Sequence, residues 1–155
     1  MKTLTVLLIE DDPVDVLMVR RVIDTMAVDV ALHTTDSCLR AIDLLSGELA
    51  GRDLIILLDI NLPRMDGLEF LAEIRKRPEN RGVPVIVMST SEDVYDVESC
   101  FEAGISGYMV KPFEFENMKE LIGAIIRYWS FSLLPHRERF DPTLSYKRKK
   151  RSLAS

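Results

Sequence analysis

The sequence predicts an α/β fold, in which a parallel sheet carries helices on both faces of a single domain. Segments with strand character alternate with segments of helical spacing five times along the first 131 residues. This alternation is the order that builds a parallel sheet with right-handed crossovers. Two of the strand segments are apolar runs, 4–9 and 54–60, the second of them up to Asp59 near its end. Such runs indicate strands that are covered on both faces, as the inner strands of a doubly wound sheet are.

The first half of the chain supplies three strands and two helices. In order they are the strand 4–9, the helix 14–26, the strand 28–33, the helix 38–47 and the strand 54–60. Asp12 suits the N-cap of the first helix, and Pro13 suits its first turn, where a missing N–H does no harm. Gly47 is typical of the residue that ends a helix. The strand 54–60 includes Asp59 near its end, after an unbroken apolar run.

The second half continues the alternation with two more strands. In order the elements are the helix 68–77, the strand 83–89, the helix 94–104, the strand 107–113 and the helix 115–131. Pro63 and Gly67 give the loop before the first of these helices its turn chemistry. Gly104 stops the next helix. The final helix is amphipathic, since its apolar residues recur at intervals of three and four from Met118 to Trp129.

Length and composition favour one globular domain with an appendage. The chain has 155 residues, of which 47% are hydrophobic and 29% charged. No apolar run approaches the roughly 20 residues that a membrane helix needs, and the N-terminus lacks the layout of a signal peptide. Cys38 and Cys100 stand alone, which favours reduced thiols. We therefore expect a cytoplasmic protein without a membrane partner.

The C-terminal segment differs in character from the rest of the chain. We expect a compact domain over 3–130 and an extension over 131–155 that is partly docked, then basic and disordered. The run KRKKR at 147–151 carries five positive charges within a net charge of −5, which leaves −10 for the remaining residues. Because the body is acidic and no recognition helix accompanies the basic run, we expect no nucleic-acid partner.

Polar residues follow four of the five predicted strands. The first strand runs into Glu10, Asp11 and Asp12, and the others end at or near Asp59, Ser89 and Lys111. In open α/β sheets, ligands bind beyond the carboxyl ends of the strands, so these side chains should meet. Clustered carboxylates repel one another unless a cation is present.

A hard metal ion and a lysine would make this cluster tolerable. Asp11, Asp59 and a backbone carbonyl near Asn61 match the oxygen ligands that Mg²⁺ prefers. A carboxylate beside such an ion is a nucleophile toward phosphorus. Lys111 would neutralise the charge of a phosphoryl group and Ser89 would donate a hydrogen bond to it. The residues therefore predict phosphoryl transfer onto Asp59.

Four segments, LLIEDD, DINLPRMDG, VMSTS and GYMVKPF, together resemble the receiver domain of two-component response regulators over about residues 3–130. The resemblance implies a flavodoxin-like (βα)5 fold with strand order 2-1-3-4-5. It implies that Asp59 accepts a phosphoryl group from a sensor histidine kinase. It also implies a Mg²⁺ or Mn²⁺ site, and its ligands would be Glu10, Asp11, Asp59 and the carbonyl of Asn61.

The same resemblance implies roles for the remaining polar residues and a way of signalling. Lys111 and Ser89 would assist the transfer, and the Lys111–Pro112 bond would be cis. Ser89 and Tyr108 would form a switch that changes the surface of helix 4, strand 5 and helix 5. The protein would then act through protein contacts, without an enzymatic activity beyond its own phosphorylation and dephosphorylation. An alternative within the family is a relay that passes the group to a histidine phosphotransfer protein.

The segment RYWSFSLLP at 127–135 is similar to the same region in small receivers paired with phytochrome-like kinases. This similarity implies a phytochrome-type histidine kinase as partner. The apolar side chains would otherwise be exposed, so we expect the segment to dock or to take part in a homodimer through helix 4, strand 5, helix 5 and the extension. The downstream target is not indicated by the sequence.

Other classes of function fit the motifs less well. A haloacid-dehalogenase-like phosphatase also uses an aspartate with Mg²⁺, but it needs an acid two residues later, where this chain has Asn61. A P-loop nucleotide-binding protein is excluded because the chain has no GxxxxGK[ST] motif. A constitutive scaffold would not need the acidic residues that are present here.

Overall fold

The computed structural model describes residues 2–137. Five strands alternate with five α-helices, and a short 3₁₀ helix precedes the fourth strand. The strands are β1 Leu4–Ile9, β2 Val30–Thr35, β3 Leu54–Leu58, β4 Val85–Ser89 and β5 Gly107–Val110. The helices are α1 Pro13–Thr25, α2 Cys38–Ser46, α3 Gly67–Lys76, α4 Val94–Glu102 and α5 Phe115–Phe131, and the 3₁₀ helix is Pro78–Asn80.

The strands form one parallel sheet in the order β2-β1-β3-β4-β5. This confirms the predicted flavodoxin-like fold and its strand order. The order reverses at β1, because the chain moves first to β2 on one side and then to β3 on the other. The loops that follow β1 and β3 therefore lie side by side at the carboxyl edge of the sheet, where a ligand site is expected.

Alternate residues of the inner strands fill two separate cores, one on each face of the sheet. One core packs side chains of β1 and β3 such as Leu7 and Ile56 against α2, α3 and α4. The other packs Val6 and Leu57 against α1 and α5. Every residue of β1, β3 and β4 is buried. This confirms the predicted coverage of β1 and β3 on both faces and adds β4 to them.

The sequence places the second strand over 28–33, but β2 runs from Val30 to Thr35. The register with β1 fixes this shift, since Leu4 pairs with Val30 and Ile9 with Thr35. All six residues of β2 are only partly buried, so its composition does not mark its ends. The expected strands 54–60 and 107–113 end early, at Leu58 and Val110.

The caps predicted for α1 are confirmed. Asp12 is its N-cap and accepts a hydrogen bond from the backbone N–H of Val14 at 2.9 Å, and Pro13 opens the helix. These contacts fix the start of α1 directly after the acidic residues that follow β1. Gly104 follows α4 with a φ of 86°, a conformation that glycine adopts without strain.

After α5 the chain returns to the amino-terminal edge of the sheet. The last residue that the structure describes there is a buried arginine, Arg137. The guanidinium of Arg137 donates to the backbone carbonyls of Leu45 at 2.8 Å, Leu49 at 2.7 Å and Arg52 at 3.1 Å. It also donates twice to the side-chain oxygen of Asn80, at 2.9 and 3.3 Å. Arg137 thereby satisfies carbonyls at and beyond the end of α2 that the helix itself leaves without partners.

The predicted disorder of the basic run 147–151 lies outside the described residues. Between residues 2 and 137, none of the helices combines the length and the apolar character needed to span a bilayer. Cys38 and Cys100 are free and buried. Burial, with smaller contributions from nearby carboxylates, raises the pKa of the Cys38 thiol to about 12, so Cys38 is a poor nucleophile near neutral pH.

Candidate functional site

The carboxyl edge of the sheet brings the polar ends of β1, β3, β4 and β5 together through backbone contacts. The N–H of Asp59 donates to the carbonyl of Ile9 at 3.0 Å, so Asp59 leaves β3 beside the end of β1. The N–H of Lys111 donates to the carbonyl of Ser89 at 2.8 Å, so Lys111 leaves β5 beside the end of β4. Sheet pairing thus places these side chains before any side-chain contact is made.

Three carboxylates converge at the centre of this edge. Glu10, Asp11 and Asp59 each offer an oxygen, and these oxygens lie within 4.8 Å of one another. Glu10 and Asp59 are buried and Asp11 is exposed. Asp12, the other acidic residue after β1, is the cap of α1 and lies outside this cluster.

The ammonium group of Lys111 lies against the cluster. Its Nζ is 2.6 Å from Oε2 of Glu10, 2.9 Å from Oδ2 of Asp15 and 3.1 Å from Oδ2 of Asp59. The Lys111 side chain is only 9% exposed. An ammonium group has three N–H donors, and here each one faces a different carboxylate.

Asp15 was not among the residues that the sequence marked. It lies in the first turn of α1, after the N-cap Asp12, where an acidic residue is common because the start of a helix favours negative charge. The sequence therefore carried no signal that tied Asp15 to the acidic cluster. From the sequence alone, an aspartate that contacts a buried lysine cannot be told apart from one that faces solvent in the first turn of a helix.

The environment of the cluster raises the pKa values of both Glu10 and Lys111, for different reasons. The pKa of Glu10 is raised to about 7, mainly by burial and to a smaller extent by the charge of Asp59, although hydrogen bonds from Lys111 and the N–H of Asp12 act in the opposite direction. Burial alone would lower the pKa of Lys111, but Glu10, Asp15 and Asp59 raise it above its ordinary value. The two groups respond differently because Lys111 is shared by three acids, whereas Glu10 has one cation.

Asn61 and Ser89 border the phosphoacceptor candidate. The N–H of Asn61 donates to Oδ1 of Asp59 at 3.0 Å, and the Asn61 side-chain amide donates to Oγ of Ser89 at 3.4 Å. Ser89 is fully buried and also accepts from the N–H of Ser91 at 3.1 Å. The structure therefore places Asn61, Ser89 and Asp59 in one hydrogen-bonded group.

Tyr108 joins this group from β5. Its hydroxyl donates to the backbone carbonyl of Ser91 at 2.8 Å, and its ring packs against the core under α3 and α4. Ser91 thus contacts Ser89 through its N–H and Tyr108 through its carbonyl. The Lys111–Pro112 bond is trans, so the expectation of a cis bond is wrong for this structure; trans is the ordinary state of an X-Pro bond.

The donor set fits a hard divalent cation. Carboxylate oxygens that converge within 4.8 Å are the ligands that Mg²⁺ and Mn²⁺ prefer. Three acidic groups so close together also repel one another, and a divalent cation relieves that repulsion. Of the predicted residues, the structure brings Glu10, Asp11, Asp59, Lys111 and Ser89 together at this edge. The sequence did not predict the contacts of Asp15 and Ser91.

Comparisons with known proteins agree with this geometry. Residues 6–123 match the family described as response regulator receiver domain. The response regulator Rcp1 of Synechocystis sp. is 33% identical over 128 residues, which cover 80% of this chain and 87% of Rcp1. The structure of the Mn²⁺-bound form of Rcp1 superimposes with a TM-score of 0.77 and covers 84% of this chain and 98% of that one.

Two further solved structures are similar across almost their whole length. The phosphorylated cyanobacterial phytochrome response regulator RcpA is 28% identical with a TM-score of 0.79, over 86% of this chain and 99% of that one. A response regulator in red light signaling of R. palustris is 28% identical with a TM-score of 0.76, over 85% of this chain and 98% of that one.

Proposed function

Because the chain belongs to the family of response regulator receiver domains, we propose that it is a phosphoacceptor signalling protein that takes a phosphoryl group onto Asp59. The observation that carries this proposal is the contact of 3.1 Å between Lys111 Nζ and Asp59 Oδ2 beside the cluster of Glu10, Asp11 and Asp59. A nucleophilic carboxylate, a fixed cation and a set of metal ligands are the groups that such a transfer requires.

Each residue has a part in the transfer that follows from its position. A carboxylate oxygen of Asp59 attacks phosphorus, the bond between phosphorus and the donor's leaving group breaks, and the leaving group departs. Glu10, Asp11, Asp59 and the carbonyl of Asn61 would hold Mg²⁺ or Mn²⁺. When bound, this ion neutralises charge on the phosphoryl oxygens. Lys111 supplies a second positive charge at the same oxygens.

Ser89 and Tyr108 are suited to report the arrival of the phosphoryl group. The Ser89 hydroxyl accepts two hydrogen bonds, so its proton is available for a phosphoryl oxygen. A shift of Ser89 toward that oxygen weakens its contact with the N–H of Ser91, whose carbonyl holds the Tyr108 hydroxyl. Ser91 is therefore the physical link between the two switch residues, and through Tyr108 to α4 and β5.

The protein surface around α4, β5 and α5 is where we place the output. Exposed apolar side chains are concentrated there and in the segment after α5: Val94, Tyr95, Phe101, Val110, Phe113, Phe115, Tyr128, Phe131 and Leu133. Such a concentration is typical of a protein contact surface. We propose that this surface binds a protein partner or forms a homodimer, and that phosphorylation changes its affinity.

The upstream partner that we propose is a cytoplasmic histidine kinase of the phytochrome type. Support comes from the similarity to the phytochrome response regulator RcpA and to a regulator in red light signaling. The test is transfer of labelled phosphoryl from a purified phytochrome-type kinase to this chain. Transfer that depends on the light state of the kinase is expected; transfer from unrelated kinases at the same rate would contradict the assignment.

The phosphoacceptor itself is tested without a kinase. The protein is incubated with Mg²⁺ and phosphoramidate, and intact mass spectrometry follows the addition of a phosphoryl group. We expect one labile phosphoryl group on the wild type, none on Asp59→Asn, and normal addition to Asp24→Asn, an exposed aspartate of α1. Phosphorylation of the Asp59→Asn variant would refute the proposal.

The switch is tested with Tyr108→Phe, which removes only the hydroxyl group that donates a hydrogen bond to the carbonyl of Ser91. We expect unchanged phosphoryl addition, but a smaller effect of phosphorylation on self-association measured by sedimentation. The control is Leu39→Ser, an exposed apolar residue of α2 away from the proposed surface. If Tyr108→Phe associates as the wild type does in both states, Tyr108 is not part of the switch.

A further inference from the structure

We propose that Asp15 is a positioning residue for phosphoryl transfer, and that it acts through the ammonium group of Lys111. This inference rests on the proposed role of Asp59 as phosphoacceptor. Asp15 belongs to none of the sequence motifs that predicted the site, and its carboxylate lies 2.9 Å from Lys111 Nζ. It is the only one of the three acids around Lys111 that is not also in the metal-binding cluster.

The difference between Asp15 and the other two acids matters when the site is loaded. Glu10 and Asp59 face Lys111, and their oxygens also belong to the group that fits a divalent cation. A divalent ion competes with Lys111 for these two carboxylates. Asp15 lies outside that cluster, so its contact with Lys111 does not compete with metal binding, and we expect it to hold Lys111 when Glu10 and Asp59 bind the ion.

A tether of this kind matters because of the lysine side chain itself. Lysine carries its charge on a flexible four-carbon stem and loses much rotamer freedom when it is fixed. Phosphoryl transfer depends on charges that are already in place when charge develops on the phosphoryl oxygens. Asp15 stands on a rigid support, since Asp12 and Pro13 fix the first turn of α1.

The contact is unlike an ordinary surface ion pair. The side chains of Lys111 and Asp15 are 9% and 20% exposed, whereas those of Lys76 and Glu73 are 70% and 45% exposed. Solvent screens the attraction in exposed ion pairs, so such pairs do little to hold their side chains in one position. The Lys111–Asp15 pair is shielded and can hold the ammonium group in one place.

The test compares Asp15→Asn, Asp15→Glu and the control Asp24→Asn, which changes an exposed aspartate on the same helix. The initial rate of phosphoryl addition from phosphoramidate is measured at saturating Mg²⁺. We expect a loss of about tenfold in Asp15→Asn, since small misplacements of a charged group are costly in transfer reactions. Asp15→Glu should recover most of the rate, and Asp24→Asn should match the wild type.

Mn²⁺ affinity, measured by calorimetry, separates positioning from metal binding. Asp15→Asn should weaken Mn²⁺ binding by roughly threefold at most, the effect of one neighbouring charge. A loss of tenfold or more would make Asp15 a metal ligand and overturn the inference. Thermal unfolding of each variant checks that the fold is intact, and Asp15→Glu keeps the test valid if Asp15→Asn is poorly folded.

A double-mutant cycle with Lys111→Ala tests whether Asp15 acts through Lys111. In the Lys111→Ala background, Asp15→Asn should cause no further loss of rate. An equal loss in both backgrounds, an unchanged rate in Asp15→Asn, or a faster rate in that variant would each overturn the inference. No addition to wild-type Asp59 would refute the proposed function as well, whereas normal addition with an unaffected Asp15→Asn refutes this inference alone.

Discussion

Nζ of Lys111 lies 2.6 Å from Oε2 of Glu10, yet the buried Glu10 carboxyl holds its proton to a pKa of about 7 because desolvation outweighs this contact. The proton on Glu10 therefore competes with a metal ion near neutral pH. Any phosphoryl transfer that depends on the metal should carry this competition into its own pH dependence.

The first prediction concerns the pH dependence of metal binding. Glu10 must lose its proton to act as a ligand, so Mn²⁺ affinity should rise with pH and level off above about 7. For one proton with that pKa, binding at pH 6 should be about tenfold weaker than at pH 8. Calorimetric titration measures it. Glu10→Gln should bind more weakly but with a nearly flat profile, and a steep profile in that variant would assign the proton elsewhere.

The second prediction concerns repulsion within the acidic cluster. Asp11 belongs to the cluster but does not contact Lys111, so its charge is balanced least. Asp11→Asn should raise the melting temperature of the metal-free protein by about 2–4 °C, because one source of like-charge repulsion is removed. Added Mg²⁺ should stabilise the wild type and leave this variant almost unchanged.

Asp12→Asn is the matched control for Asp11→Asn, since asparagine caps a helix as well as aspartate does and residue 12 lies outside the cluster. It should keep the full response to Mg²⁺ in calorimetric unfolding. If the two variants respond to Mg²⁺ alike, the cluster does not bind the ion in the way described.

The third prediction concerns Arg137. Arg137→Met removes the donors to the carbonyls of Leu45 and Arg52, so the free energy of unfolding should fall by about 2–4 kcal/mol. Urea denaturation measures this change. Arg52→Met alters an exposed arginine of the same region and should change stability by at most about 0.5 kcal/mol. Equal effects of the two variants would show that the hydrogen bonds of Arg137 do not contribute to the free energy of unfolding.

The fourth prediction contrasts two glycines. A Cβ on Gly67 would lie 2.6 Å from the Cα of Ile60, the residue that follows Asp59. Because the backbone there must shift, Gly67→Ala should destabilise the protein by about 1–3 kcal/mol and slow phosphoryl addition to Asp59. Gly123 lies within α5, where the nearest atom to an added Cβ is 3.7 Å away. Gly123→Ala should therefore stabilise by about 0.5–1 kcal/mol in the same denaturation assay. A destabilised Gly123→Ala would contradict this account.

The fold and the acidic site could be predicted because both leave marks that are local in the sequence. The apolar runs of β1 and β3 and the carboxylates after them are contiguous, and parallel pairing does the rest. The exact bounds of β2 could not be predicted. Its residues are half-buried throughout, so neither alternation nor a continuous apolar run marks where pairing with β1 begins.

Asp15 and Arg137 were missed for a different reason. Each is a charged residue in a stretch where charged residues normally face solvent, and each makes its contacts with residues far away in sequence. Arg137 is satisfied mainly by backbone carbonyls, which every residue carries. No pattern of residue types can mark such a contact, because any carbonyl of suitable position would serve.

The contacts of Arg137 show that the packed domain extends past the last helix. The match to the family model ends at residue 123 and α5 ends at Phe131, but the buried guanidinium links residue 137 to the end of α2. A truncation at the last helix would remove the donors that Arg137 supplies to the carbonyl of Leu45 and to the side-chain oxygen of Asn80. Anyone who excises this receiver for fusion to another output module should therefore set the junction beyond Arg137.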